Sequence, residues 1–180
     1  MKNTDNFTST AYNYGWEQNI TKFEIEGRDT IISTLPRFFN EGVKVKELNN
    51  TSITDPIDLI ITLDDDTKIG IEVKEWSYSC TYLGSRDNKI EPSFMLKESK
   101  LDRMKKYAKQ NKIKYIIYVA ILDSKAYYYY LNNINWKEVI KYNTYQKKTQ
   151  MNPNSEWSYQ MTYFLKLKDA RKVIEKEVKE

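Results

Sequence analysis

Apolar and polar residues alternate most clearly in the middle of the chain. Ile57, Leu59, Ile61 and Leu63 fall on every second position, and Ile69, Ile71 and Val73 do so again after the acidic turn Asp64-Asp65-Asp66. A period of two marks a strand with one buried face, so residues 56–63 and 68–75 predict a β-hairpin. Upstream, Ile20, Phe23, Ile31, Leu35 and Phe38 recur at roughly helical spacing, interrupted by Gly27 and Pro36. That predicts one bent helix or two within 16–39, followed by a short strand over 43–48. Beyond a polar loop at 76–92, which contains Cys80, the stripe Leu101, Met104, Ala108 predicts a helix from about Pro92 to Asn111. The continuous apolar run Tyr115 to Leu122 predicts a strand covered on both faces, and Ala126 to Leu131 another. Tyr127 to Tyr130 alternate across that strand and read as packing. Residues 142–157 read as a loop, Tyr159 to Leu167 as a last strand, and Asp169 to Lys179 as a charged terminal helix.

Helix, three strands, helix, two strands and a tail make a mixed α/β domain. No Pro- or Gly-rich linker and no internal repeat divides the 180 residues, so a single domain over 1–180 is expected. Composition adds little to this: 40% hydrophobic and 30% charged residues are ordinary for a globular protein. No apolar run approaches the ~18 residues of a membrane span, and the polar start is unlike a signal peptide. The expectation is a cytoplasmic protein with no membrane partner. A net charge of +4 does not by itself establish a nucleic-acid partner.

The residues that are missing narrow the chemistry further. With no histidine, Ser-His-Asp and Cys-His nucleophile pairs, a histidine base and His-metal sites are all excluded. One cysteine excludes disulfide frameworks and zinc fingers, and no glycine-rich phosphate loop is present. An enzyme built from this chain works with carboxylates, lysine and a hard metal ion. The predicted hairpin supplies such groups. If the apolar faces of its two strands coincide, Asp58, Glu72 and Lys74 all project to the opposite face. A three-residue turn sets Asp58 across from Glu72, and a five-residue turn sets it across from Lys74. Two converging carboxylates repel unless a cation lies between them, and oxygen ligands suit Mg²⁺ or Mn²⁺.

Pro56-Ile57-Asp58, a 13-residue gap, then Glu72-Val73-Lys74 resembles the motif of the PD-(D/E)XK nuclease superfamily, and the element order over residues 17–131 is similar to its core. The resemblance implies a restriction-endonuclease-like fold, a mixed β-sheet flanked by helices, with strand and helix 158–180 added. It implies a Mg²⁺- or Mn²⁺-dependent nuclease cutting DNA, or less often RNA, and leaving a 5′-phosphate. Asp58 and Glu72 would bind the metal with the Val73 carbonyl, and Lys74 would position the attacking water. A further carboxylate from the first helix would be Glu24, with Glu17 and Glu26 as rivals, although Thr21 to Glu24 also reads as a capping box. Lys97, on the stripe of Leu101, Met104 and Ala108, is a candidate second-helix contribution. Lys97, Lys100 and Arg103 on the basic second helix, with Arg86 in the loop before it, are the expected nucleic-acid contacts. The segment Lys141 to Lys148, with Tyr142, Tyr145 and Gln146, is a further candidate because it reads as a loop. A homodimer is expected, since duplex cleavage needs two cuts. The competing expectations are a non-catalytic binding or interaction module on the same fold and an RNA-cutting nuclease.

Overall fold

The hairpin forms with the shorter of its two possible turns. Strand β2 (Leu59–Leu63) pairs antiparallel with β3 (Lys68–Glu75), Leu59 opposite Ile71 and Ile61 opposite Ile69. Leu63 N–H donates to the Thr67 carbonyl at 2.9 Å, closing a three-residue loop at Asp64–Asp66. Asp66 takes φ 61°, a left-handed conformation that Asp tolerates at such turns. The computed structural model describes residues 43–52, 54–76, 92–123, 125–147 and 157–175, with positions 31, 34, 35 and 37–39. Ile20, Phe23, Gly27, Cys80, Arg86 and the glutamates Glu17, Glu24 and Glu26 lie outside the described residues.

Around the hairpin runs a six-stranded sheet in the order β1-β2-β3-β5-β6-β9, completed by β1 (Val45–Asn50), β5 (Tyr115–Leu122), β6 (Lys125–Tyr130) and β9 (Lys172–Glu175). Its pairs are antiparallel except β3 with β5, which are parallel, Glu72 beside Tyr118 and Lys74 beside Ala120. A parallel pair needs a crossover connection. Here the crossover includes β4 (Ser93–Lys97) and helix α1 (Glu98–Gln110). Strand β4 leaves the main sheet and joins β8 (Trp157–Lys166) and β7 (Lys141–Lys147) in a second, three-stranded sheet, order β4-β8-β7.

Both faces of the main sheet are buried, as the unbroken apolar run of β5 predicts. One face gathers Leu59, Ile61, Ile69, Ile71, Ile117, Val119 and Ile121 under the helical positions Ile31, Leu35 and Phe38. The other packs Tyr118, Ala120 and Leu122 against Leu101, Met104 and Ala108 of α1 and against Phe94, Leu96, Tyr163 and Leu165 of the second sheet. The mixed α/β class stands, with strands outweighing helix among the described residues.

Four expectations are corrected. The helix expected from Pro92 starts only at Glu98, because Phe94 and Leu96 alternate inward and pair with Leu165 and Tyr163 of β8. Lys97 is therefore the residue preceding the helix, with extended backbone (φ −63°, ψ 135°), not a member of the helical stripe. Residues 142–147, expected in a loop, are strand β7, whose ladder with β8 runs from Lys141 opposite Tyr163 to Lys147 opposite Trp157. Over 169–175 the expected terminal helix is replaced by a 3₁₀ turn, Leu167–Asp169, and by β9, which pairs Val173 with Tyr127 and buries Ile174. Finally, Ile57 does not share the face of Leu59. Residues 54–58 form a turn before β2 begins, and Ile57 packs into the opposite core, with Ile113 and Leu101. Gly70 makes room for it: a Cβ there would meet Ile57 Cδ1 at 2.9 Å.

Candidate metal and phosphate site

The even-numbered face of β3 carries the chemistry. Beyond Leu59 the β2–β3 ladder changes: Asp58 N–H donates to the Ile71 carbonyl at 2.9 Å, and the Asp58 side chain takes over the next rung, its Oδ2 accepting Val73 N–H at 2.8 Å. The carboxylate thus stands where a backbone carbonyl would otherwise be. In a strand the N–H and C=O of one residue point to the same edge, so the Val73 carbonyl is aimed to the Asp58 side as well. The Asp58 carboxylate lies close enough to Glu72 to act on its protonation.

What holds Asp58 is the turn before it. Thr51 N–H donates to the Asp58 carbonyl at 3.0 Å, and the Thr51 hydroxyl donates to the Ile57 carbonyl. Ser52 N–H donates to Asp55 Oδ2 at 3.0 Å, while the Tyr107 hydroxyl of α1 donates to the same oxygen at 3.2 Å. Arg103 Nη2 donates to the Thr54 carbonyl at 3.4 Å. Helix α1 is therefore tied to the loop that aims Asp58. Thr51, Asp55 and Tyr107 are positioning residues that the sequence reading missed. Asp55-Pro56 is a turn signal, but nothing in the sequence connects it to Tyr107.

Glu72 is 8% exposed and flanked by unlike neighbours. Lys100 Nζ from the first turn of α1 lies 2.6 Å from its Oε1. Its Oε2 is buried with no hydrogen-bond partner among the described residues. Burial, and next the Asp58 carboxylate, push the Glu72 carboxyl up to about 8, with Lys100 acting against them. A raised value beside an ion pair is consistent: one ammonium on one oxygen leaves the other oxygen dry and facing a second carboxylate. Beneath Glu72, Tyr118 is buried and its oxygen accepts Trp76 Nε1–H at 3.2 Å. Trp76, the residue after β3, has its ring centroid 5.9 Å from that of Phe94.

Lys74 is exposed on the face it shares with Glu72. Lys97 approaches from the end of β4: burial, and then the Lys74 ammonium, hold its amine below the ordinary lysine value. Lys100 thus meets Glu72 directly, while Lys74 shares its strand face and Lys97 lies close to Lys74. Lys100, expected on an outer nucleic-acid surface, is instead the lysine that reaches Glu72. Arg103 is exposed beside it. Lys105 lies over the Trp136 ring at 5.2 Å, so part of the helix's basic face is already engaged. Tyr142 is exposed on β7, and Lys141 is paired with Glu98 at 3.2 Å. Among the described residues no group of three or more carboxylate, histidine or cysteine ligands gathers in one place. The available donors are two carboxylates and a carbonyl, and the buried Oε2 of Glu72 is an oxygen that a hard cation would satisfy.

No family model matches the chain, and no curated protein matches it. Among the described residues no helix is long and apolar enough to cross a membrane.

Proposed function

We propose that the protein is a metal-dependent nuclease that hydrolyses phosphodiester bonds in DNA. The observation that carries this is Glu72: a buried carboxyl group close to that of Asp58, with Lys100 on one oxygen and no hydrogen-bond partner on the other among the described residues. Two carboxyl groups this close need a shared proton or a cation between them, and a divalent cation satisfies both. Asp58, Glu72 and the Val73 carbonyl would hold Mg²⁺ or Mn²⁺, which when bound polarises a phosphate oxygen and acidifies water. Lys74 would orient the attacking water as a hydrogen-bond donor, and the water's proton passes to solvent. Lys97 lies beside Lys74, where a second positive charge favours the phosphate over its solvated state. The water oxygen bonds phosphorus, the P–O3′ bond breaks, and the departing oxygen takes a proton, leaving a 3′-hydroxyl and a 5′-phosphate.

The test is incubation with plasmid, single-stranded DNA, branched DNA and RNA, each with Mn²⁺ or EDTA. Cleavage of a DNA substrate that needs Mn²⁺ and is lost in folded Glu72→Gln and Lys74→Ala proteins is the expected result. Equal cleavage by those variants would sink the assignment, and cutting of RNA alone would move the substrate class. The Lys100–Glu72 ion pair favours one rival, a binding module on the same fold. That rival predicts salt-sensitive nucleic-acid binding without a metal requirement and unaffected by Asp58→Ala.

A further inference from the structure

The mechanism above leaves Lys100 without a part, yet it makes the shortest ion pair with a proposed metal ligand. We propose that Lys100 is a built-in counter-ion, which holds Glu72 in the metal-free protein and leaves it when a divalent cation binds; this rests on the metal-dependent reading of the site. The two partners differ in freedom. Glu72 stands on a strand bonded to neighbours on both sides, β2 and β5, and is almost wholly buried. Lys100 reaches it from the first turn of α1 on a four-carbon stem and keeps 28% of its side-chain exposure. Its ammonium can move into solvent at little cost, whereas the carboxylate cannot move.

Electrostatics sets the direction of the exchange. A divalent cation shared by Asp58 and Glu72 balances both carboxylates, and its contacts reach the Oε2 that Lys100 leaves unserved. Once that charge is balanced, Lys100 has no excess negative charge to face, and Lys74, on the strand face of Glu72, repels it. The released ammonium then completes a cluster of three cations with an unmet demand for an anion, which a phosphodiester would supply. Metal binding and substrate binding are linked through one side chain, so the cluster is fully cationic only when the metal is in place.

The exchange is read without any cleavage by acetylating lysines with a mild amine reagent and quantifying each site by mass spectrometry. Calorimetry with Mn²⁺ alone is run in parallel. Lys100 should label slowly in EDTA and severalfold faster with saturating Mn²⁺. Lys46, paired with Asp66 at the far end of the hairpin, should label alike in both. In Glu72→Gln, Lys100 should label fast with or without Mn²⁺. Mn²⁺ that binds by calorimetry while Lys100 labelling stays low overturns the exchange and leaves the nuclease proposal standing. Failure of Mn²⁺ to bind at all overturns both. Slow labelling of Lys100 in Glu72→Gln would show that the ion pair is not what protects it.

Discussion

The hairpin carries two ion pairs of the same length, one at each end. Lys46 Nζ and Asp66 Oδ1 lie 2.6 Å apart at the turn, and so do Lys100 Nζ and Glu72 Oε1 at the other end. The turn pair leaves 55% and 76% of its side chains exposed, the other only 28% and 10%. Geometry alone would rank them equal. At the turn, water and salt screen the charges, and each partner keeps its hydration when the other is lost. At the Glu72 end, a carboxylate has been moved out of water and given only one cation for two oxygens. The lesson is that distance identifies a pair and burial decides whether it has consequences, which is why one end of the hairpin reads as a site and the other as a turn.

The strongest way to break the contrast is to neutralise each end in turn and measure cleavage. Glu72→Gln and Lys74→Ala should lower metal-dependent cleavage by roughly 10²–10³-fold or more, the range for removing a group that faces charge developing in a transition state. Asp66→Asn and Lys46→Ala should leave it unchanged. Stability sharpens the same contrast. Above pH 8, where Glu72 is ionised, Lys100→Ala strands it without a cation and should destabilise the metal-free protein by about 1–3 kcal/mol, less than a fully dry pair would lose because Lys100 is partly exposed. Denaturant midpoints for this variant and for Lys46→Ala should separate clearly, only the first shifting. A similar loss, about 1–3 kcal/mol, is expected for Gly70→Ala, since the added methyl meets Ile57 and Ile113 inside a packed core and pushes on the turn that carries Asp58. Here the cleavage defect should exceed what the lost stability explains, because Ile57 adjoins Asp58.

Titration separates the ends by sign. The folded-state value of Glu72 is raised from 4.5 to about 8, so between those limits the folded chain holds a proton that the unfolded chain releases. This contribution to stability is fully present below pH 4.5 and is lost as pH rises through about 8. Chemical denaturation in EDTA across that window should show a decline with pH that Glu72→Gln flattens. At the turn, Asp65 is held below its ordinary value by Thr67 N–H, so its small contribution runs the other way, lost as pH falls.

How much of this was legible in the sequence follows from the range of the interactions. The hairpin and the doubly buried β5 are encoded in alternation over neighbouring residues, which also places Glu72 and Lys74 on one face of β3 and, through the short turn, brings Asp58 close to Glu72. Periodicity alone places Lys97 and Ile57 in the wrong local pattern. Each lies at an element boundary, where periodicity has too few residues to discriminate, and tertiary pairing decides: β8 draws residues 93–97 into a strand, and Gly70 opens a pocket for Ile57. Strands β7 and β9 are hidden because each is an edge strand with a single neighbour, too short or too polar for an alternation to stand out. Lys100 on Glu72 joins residues from different elements, and no local pattern announces it.

The smallest effect tests whether that long-range tethering matters. Tyr107→Phe removes one hydroxyl, 3.2 Å from Asp55, and changes nothing that touches the site directly. A hydrogen bond of this kind is worth about 0.5–1.5 kcal/mol, so the stability loss should be modest. If α1 and the 52–58 turn aim Asp58 together, the variant should also bind Mn²⁺ more weakly, because the Asp58 carboxylate then samples positions away from the Val73 amide. Asp55→Asn keeps an acceptor for Tyr107 and should retain most of the affinity. Equal Mn²⁺ affinity in wild type and Tyr107→Phe would mean that the bond from the Asp58 oxygen to Val73 N–H, together with the Thr51 contacts, fixes the carboxylate without help from the helix.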